Sequence, residues 1–297
     1  PDRLRPAEVG LLVDESADAK DLTATIVDLA VRGYLSIEEI PASGLFGSRD
    51  WALRRAQRPD ADLTDYEGRL LEGLFGSGRE VRLAELKGTF HTTLAKAQGD
   101  LYRAAVARRW FPSDPSRVRN DWRGLGLIAI VLGAVATIGL GVLYGAGLVG
   151  IAAVVIGVVT LAWSGAMPKR TAEGQELLRR ILGFRRYMDT AETERQRFAE
   201  RENIFAAYLP YAIVFGLVTK WARAFSGLDA RQAVSGWYTG SSLTNVGAFS
   251  SDLASFSSSL STAVSTTPAS TGGSSGSSGF SGGSAGGGGG GGGGGSW

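Results

Sequence analysis

Hydrophobic and polar positions fall into three regimes along this 297-residue chain. In the middle, residues 124–168 are 45 consecutive positions without a charge. One spanning helix takes about 20 apolar residues, so the run predicts two. Tyr144-Gly145-Ala146-Gly147 at its midpoint supplies glycines for the return, which makes a helical hairpin. Before the run the periods are shorter. Pro6-Ala7-Glu8-Val9 suits the opening turn of a helix. Leu22, Ile26 and Leu29 then recur at i, i+4 and i+7 behind Asp18 or Asp21 as cap, predicting a second helix that Gly33 closes. Residues 34–38 alternate apolar and polar as a half-buried strand does. Residues 51–54 read as its partner across a glycine-containing loop, 41–49. Two small helices feeding a β-hairpin look like the core of a winged-helix unit.

Thr64-Asp65-Tyr66-Glu67 is a capping box that opens a helix carrying Leu70, Leu71, Leu74 and Phe75, and Gly76 and Gly78 stop it. A short strand at 80–83 leads into a long helix from about residue 84 to 110. Its apolar positions are Leu86, Phe90, Leu94, Ala97, Leu101 and Ala105. After the apolar run, Thr171 caps a helix with Leu177, Leu178 and Ile181, which Gly183 interrupts before Phe184 and Tyr187. Residues 192–202 read as a solvated helix of alternating charge. Residues 204–219 are uncharged for 16 positions, shorter than the minimum of about 17 for a span, and contain Pro210. They predict a buried or interfacial helix rather than a third crossing.

Beyond Arg231 the only charge is Asp252, and the chain turns to serine, threonine and glycine, ending in ten glycines before Ser296-Trp297. Such a composition has too little apolar surface to offset about 1–2 kcal/mol of backbone entropy per ordered residue, so a disordered tether is expected from about Gly236. Leu243, Val246, Phe249, Leu253, Phe256 and Leu260 keep helical spacing and allow one transient amphipathic helix, lying on the membrane surface. A docking role for Trp297 at the tether's end is the functional alternative. The expected organisation is an α+β membrane protein. It comprises a winged-helix-like domain (1–110), a basic linker (111–123), the transmembrane hairpin (124–168), a helical segment (169–231) and a disordered Gly/Ser-rich tail (232–297).

Charge orients this picture. Arg117, Arg119 and Arg123 precede the hairpin, Lys169 and Arg170 follow it, and its turn has none, so both flanking parts are expected in the cytoplasm. Trp122 and Trp163 mark the two membrane boundaries. Inside the spans, Ala129, Gly133, Thr137 and Gly141 form one small-residue ridge and Ala153 and Gly157 another, which packs the hairpin against itself. No ionisable group lies within either span, which argues against a proton or ion path. Residues 1–123 hold 19 basic and 20 acidic side chains, a net of −1, and lack a nucleic-acid binder's footprint, whereas residues 169–231 net +4 and suit anionic headgroups. The start at Pro1-Asp2, with neither initiator methionine nor apolar leader, is that expected of a piece of a longer protein.

Candidate chemistry is sparse. There is no cysteine and one histidine, His91, on an expected helix surface. Glu38 and Glu39 alternate across a strand and so cannot form an acid/base pair. The glycine runs lack the Lys-Ser/Thr and the flanking strand and helix of a phosphate loop. No catalytic, cofactor-binding or metal-binding residue is assigned, and no enzyme, cofactor or small-molecule substrate is expected.

The run from Asp21 to Ile37, the later Thr171-Ala172-Glu173-Gly174 with Gly183-Phe184-Arg185-Arg186-Tyr187, and Leu209-Pro210-Tyr211-Ala212-Ile213 with Trp221-Ala222-Arg223 resemble the C-terminal region of YciQ-type predicted membrane proteins, domain-of-unknown-function family 2207. The glycine-rich end closing in Ser296-Trp297 resembles them too. The resemblance implies an envelope protein whose missing N-terminal part carries a signal peptide, an extracytoplasmic β-rich domain and a further span. It brings no activity and no catalytic residues. The partners expected are the lipid bilayer and another protein, with the soluble part a cytoplasmic interaction or signalling scaffold. The alternative is a membrane-tethered winged-helix regulator, with Asp21 to Arg32 as the reading helix and Arg49, Arg54, Arg55 and Arg58 on the wing.

Overall fold

The computed structural model describes residues 4–41, 49–144, 147–190, 202–225, 234–240 and 246–266. The centre of the hairpin turn, most of the 41–49 loop, the charged stretch 192–201, Leu243 and the polyglycine end with Trp297 lie outside them. The elements run α1 (Pro6–Asp14), α2 (Ala19–Val31), β1 (Leu35–Ile40), β2 (Asp50–Arg55), α3 (Asp65–Phe75), β3 (Glu80–Arg82), α4 (Leu83–Leu86), α5 (His91–Ala107), α6 (Pro115–Tyr144), α7 (Leu148–Trp163), α8 (Ala172–Thr190), α9 (Glu202–Phe215), α10 (Val218–Ala224), β4 (Tyr238–Thr239) and α11 (Val246–Ser265). The fold is mostly helical with one small sheet, ordered β3-β2-β1-β4.

Local chemistry accounts for the early elements. Capping boxes open α1, α2 and α3, with Glu8, Asp21 and Glu67 reaching back to the amides of Arg5, Asp18 and Thr64 at 2.9, 3.0 and 2.8 Å. Gly33, at φ +80°, lets the chain leave α2 directly into β1, where an L side chain would be strained. β1 and β2 pair antiparallel from Leu35↔Arg55 to Ile40↔Asp50. The long helix expected over 84–110 is two: α4 stops at Leu86, and the chain turns at Gly88, φ +79°, before α5 begins at His91.

α2 is the centre of the core. Every residue from Asp21 to Ala30 is buried, although the apolar stripe alone called for a helix with one wet face. The second face is covered from across the hairpin, because α9 packs along α2 and α11 crosses it as well. Phe205, Leu209, Ala212 and Ile213 of α9 are buried, so the 16-residue apolar stretch is core and not a third span. Residues on both sides of the hairpin therefore share one core within a single compact unit, Pro1–Thr267.

The expected mobility from Gly236 onward also fails for the residues described there. β4 joins the sheet as a parallel neighbour of β1, with the Ile37 amide donating to the Trp237 carbonyl at 2.8 Å. α11 is a packed helix: Val246, Phe249, Leu253, Phe256, Leu260, Ala263 and Val264 are buried, and Phe256 meets Trp51 edge-on at 6.0 Å between ring centroids. The helical spacing in the sequence marked Val246, Phe249, Leu253, Phe256 and Leu260; they lie on protein, where local composition had suggested a membrane surface.

Among the described residues, α6 and α7 are the two helices long and apolar enough to cross a membrane, over Pro115–Val142 and Leu148–Ala166. They approach at backbone distance. A Cβ on Gly150 would fall 2.2 Å from the Thr137 amide nitrogen, one on Gly133 2.7 Å from that of Val154, and one on Gly157 2.7 Å from the Gly126 carbonyl oxygen. Gly126 and Gly150 thus join the ridge foreseen from Gly133, Thr137 and Gly157. The remaining faces expose Leu127, Ile138, Val142 and Leu148. We expect Phe256→Ala to cost about 3–5 kcal/mol, measured by chemical denaturation of the detergent-solubilised chain, because it empties a fully buried site under the sheet. A change below ~0.5 kcal/mol would return α11 to the tether.

Candidate functional site: the junction of hairpin and soluble body

The two feet of the hairpin meet at the C-terminal end of α1. The last carbonyls of a helix have no partner within it. Here arginines from beyond each end of the membrane run supply the partners. Arg170, just after α7, donates from Nε to the Leu12 carbonyl at 2.8 Å and from Nη2 to that of Val13 at 2.9 Å, and its Nη1 pairs with the Glu15 carboxylate at 2.7 Å. Arg119, in the first turns of α6, donates to the Glu15 carbonyl at 2.7 Å and to the Tyr102 hydroxyl at 3.1 Å. That buried hydroxyl also accepts the Ala17 amide at 2.9 Å. Arg123 reaches Ser164 at 3.4 Å, tying the soluble ends of α6 and α7 together.

A second seam lies beside the first. Thr171 donates from its amide to the Trp110 carbonyl at 3.0 Å and from its hydroxyl to the Arg109 carbonyl, while the same hydroxyl accepts the Gly174 amide at 3.1 Å and so caps α8. Gly174 is required by contact: a Cβ there would lie 2.4 Å from the Trp110 carbonyl oxygen. Among the described residues the two non-glycine positions with left-handed backbone are Glu15, φ +57°, and Arg109, φ +58°. Both are junction residues. Positive φ is uncommon outside glycine and persists only where the surroundings enforce it.

Behind the junction runs a buried network of charge. Arg108 lies over the Trp110 ring at 5.1 Å and pairs with Glu8 at 2.9 Å. Glu67 is fully buried between Arg32 and Arg5, the latter at 3.6 Å, and Arg32 also pairs with Asp28 at 2.8 Å. Burial is the largest cause of every shift here: it raises Glu8, pushes Asp28 up to about 6 against the pull of Arg32, and holds the Tyr66 phenol well above its usual value. Asp21 is pushed up to about 7 from 3.8, because it sits with its Oδ1 against Gly10, in the seam between α1 and α2. The capping-box spacing Asp18-x-x-Asp21 was readable in the sequence; that its carboxylate would be sealed under α1 was not.

The side chains a DNA reader would use are committed elsewhere. Arg49 pairs with Glu39 and Asp252 at 3.1 and 2.7 Å, Arg54 with Glu38 and Glu80 at 2.5 and 3.0 Å, and Arg55 with Asp60 at 2.9 Å. Arg58 donates to the Arg32 carbonyl and lies over the Tyr34 ring at 4.7 Å. Glu38 and Glu39 part to opposite faces of β1, the first half-buried with Arg54 and the second buried with Arg49. Arg119 and Arg170, taken from the sequence as orienting charges beside the bilayer, are half-buried structural donors. Among the described residues no group of three or more histidine or acidic side chains is arranged to hold a metal ion. His91 opens α5 away from any such group.

The family model for the predicted membrane protein (DUF2207) C-terminal domain matches residues 1–225. The chain belongs to this family. Its match spans the soluble helices on both sides of the hairpin and the whole junction, and ends before β4 and α11. No curated protein and no solved structure matches the chain. With two apolar helices, this DUF2207 chain is a predicted membrane protein associated with the lipid bilayer.

Two outcomes follow from the geometry. Arg170→Ala strands two carbonyls and a largely buried carboxylate, so we expect a loss of about 3 kcal/mol in denaturation, against less than ~0.5 kcal/mol for the exposed Arg117→Ala. For Asp21, the folded pKa lies above the unfolded one, so the folded state is favoured at low pH and loses stability as pH rises from about 4 to about 7. The difference in melting temperature between Asp21→Asn and the parent should therefore be near zero at pH 4 and grow in the variant's favour up to pH 7. A difference that is flat across this range contradicts the buried-carboxylate account.

Proposed function

We propose that the protein is a non-enzymatic, membrane-anchored interaction module of the inner membrane, multi-pass, with both flanking parts in the cytoplasm, and that it relays the position of its hairpin to its soluble body. The observation that carries this reading is the capping of one helix end by both hairpin feet. A tether needs no such fit. An anchor that only holds a domain at the membrane can end in a loose linker, whereas Arg119 in α6 and Arg170 just before α8 hold the C-terminal end of α1 by four charge-assisted contacts, and Arg119 adds a fifth to Tyr102 of α5. Movement of either foot therefore displaces α1, and with it the Glu8–Arg108 pair and the network behind. The basic flanks and the uncharged turn favour the cytoplasmic orientation. A DNA-reading role has less to support it, since the reading helix is covered on every side and the wing arginines are paired.

The chain has no cysteine, so spin labels can be placed at will. With one at Leu127→Cys on the hairpin and one at Glu72→Cys on α3, both exposed, we expect a narrow distance distribution that broadens when Arg119 and Arg170 are both replaced by alanine. A distribution already broad in the parent would sink the relay. For orientation, a reporter fused after Trp297 that is active only outside the cytoplasm should remain silent, and activity would reverse the assignment.

A further inference from the structure

One cavity of about 430 Å³ lies at the end of the sheet, away from the junction, between the β1–β2 end, the β3–α4 connection and α11. Its lining is cationic and hydroxylic. Among the described residues Arg82 and Lys87, at either end of α4, have no carboxylate partner, and Asp50 is the acid that lines the wall. Arg49 also reaches the wall, but its charge is already met from behind by Glu39 and Asp252, so Arg82 and Lys87 are the cations the cleft can offer. Across the cavity, Ser258 and Ser259 of α11 present hydroxyls that donate to no described residue. The serine-rich face of α11 is the feature of the low-complexity stretch that packing leaves unexplained, since its apolar face alone suffices to dock it.

We propose that this cleft binds a small phosphate-bearing molecule. The mobile Arg82 guanidinium and the flexible Lys87 ammonium can each donate to a phosphate oxygen, with serine hydroxyls of α11 completing the donors. The volume falls within the usual range for small-molecule sites, ~300–1,000 Å³, and exceeds what a bare phosphate fills, so the ligand carries a substituent of about nucleoside size. The inference does not rest on the relay, because the junction contributes no residue to the cleft.

The test is phosphorus NMR of adenosine monophosphate, inorganic phosphate and glycerophosphoglycerol, each titrated with the full chain in a phosphate-free detergent. We expect line broadening of the monophosphate that weakens as salt is raised. The double variant R82E/K87E alters two exposed side chains and should keep the parent melting temperature while binding at least about tenfold more weakly. Ser259→Ala should reduce binding without abolishing it. Inorganic phosphate should broaden less than the monophosphate; equal broadening of the two contradicts the nucleoside-sized substituent. Broadening of none of the three, binding unchanged in the double variant, or binding of glycerophosphoglycerol alone, which would transfer the site to lipid headgroups, each overturns the proposal.

Discussion

The carbonyls at the end of α1 are the constraint on which the rest of the structure depends. A helix that ends inside a protein must find partners for its last carbonyls, and an unmet buried acceptor costs about 1–3 kcal/mol. Here the partners arrive from residues 119 and 170, on opposite sides of the hairpin. The chain must fold its second soluble part back onto its first for α1 to be satisfied, and that return carries α8 and α9 onto α1 and α2. The burial of both faces of α2, and with it the need to neutralise Asp21 and Asp28 in the interior, follows from this closure.

Burial of so much charge is expensive unless each group is paired and hydrogen-bonded, and breaking one partner typically costs 3–5 kcal/mol. The chain meets this by giving its buried carboxylates two duties. Glu8 and Glu67 each close a helix N-terminus and neutralise an arginine from another element. Helix starts are thereby locked to tertiary position. Asp21 departs from this pattern: it caps α2 but has no ion-pair partner among the described residues, and its burial raises its pKa. The hairpin shows the complementary strategy. In a bilayer no hydrophobic force drives two apolar helices together, so Gly126, Gly133, Gly150 and Gly157 bring backbones into contact where dispersion is strongest.

Much was legible without coordinates. The two apolar helices, the family and the capping box of α3 are written in local patterns of charge, period and spacing, each acting over a few residues. β1 and β2 were readable from alternation and α2 from its stripe, because those signals record which face is buried first. Residue spacing also marked the apolar positions of α11, though composition argued against its stability. A serine-rich helix cannot hold itself together in water, and it persists only because Phe249 packs on Phe205, Trp237 and Tyr238 and Phe256 packs on Trp51, 205 positions earlier.

What tertiary structure alone decided is which charges are structural. In the sequence, Arg119 and Arg170 are indistinguishable from Arg117 and Lys169, since all are basic residues flanking an apolar run. Only the folded chain brings two of them to the end of α1, and the difference is positional: a hydrogen bond between partners 104 or 158 residues apart leaves no periodic trace. The membrane location, by contrast, was set by 45 uncharged residues in a row, because solvation of the backbone and side chains in a bilayer depends on local composition and needs no long-range contact.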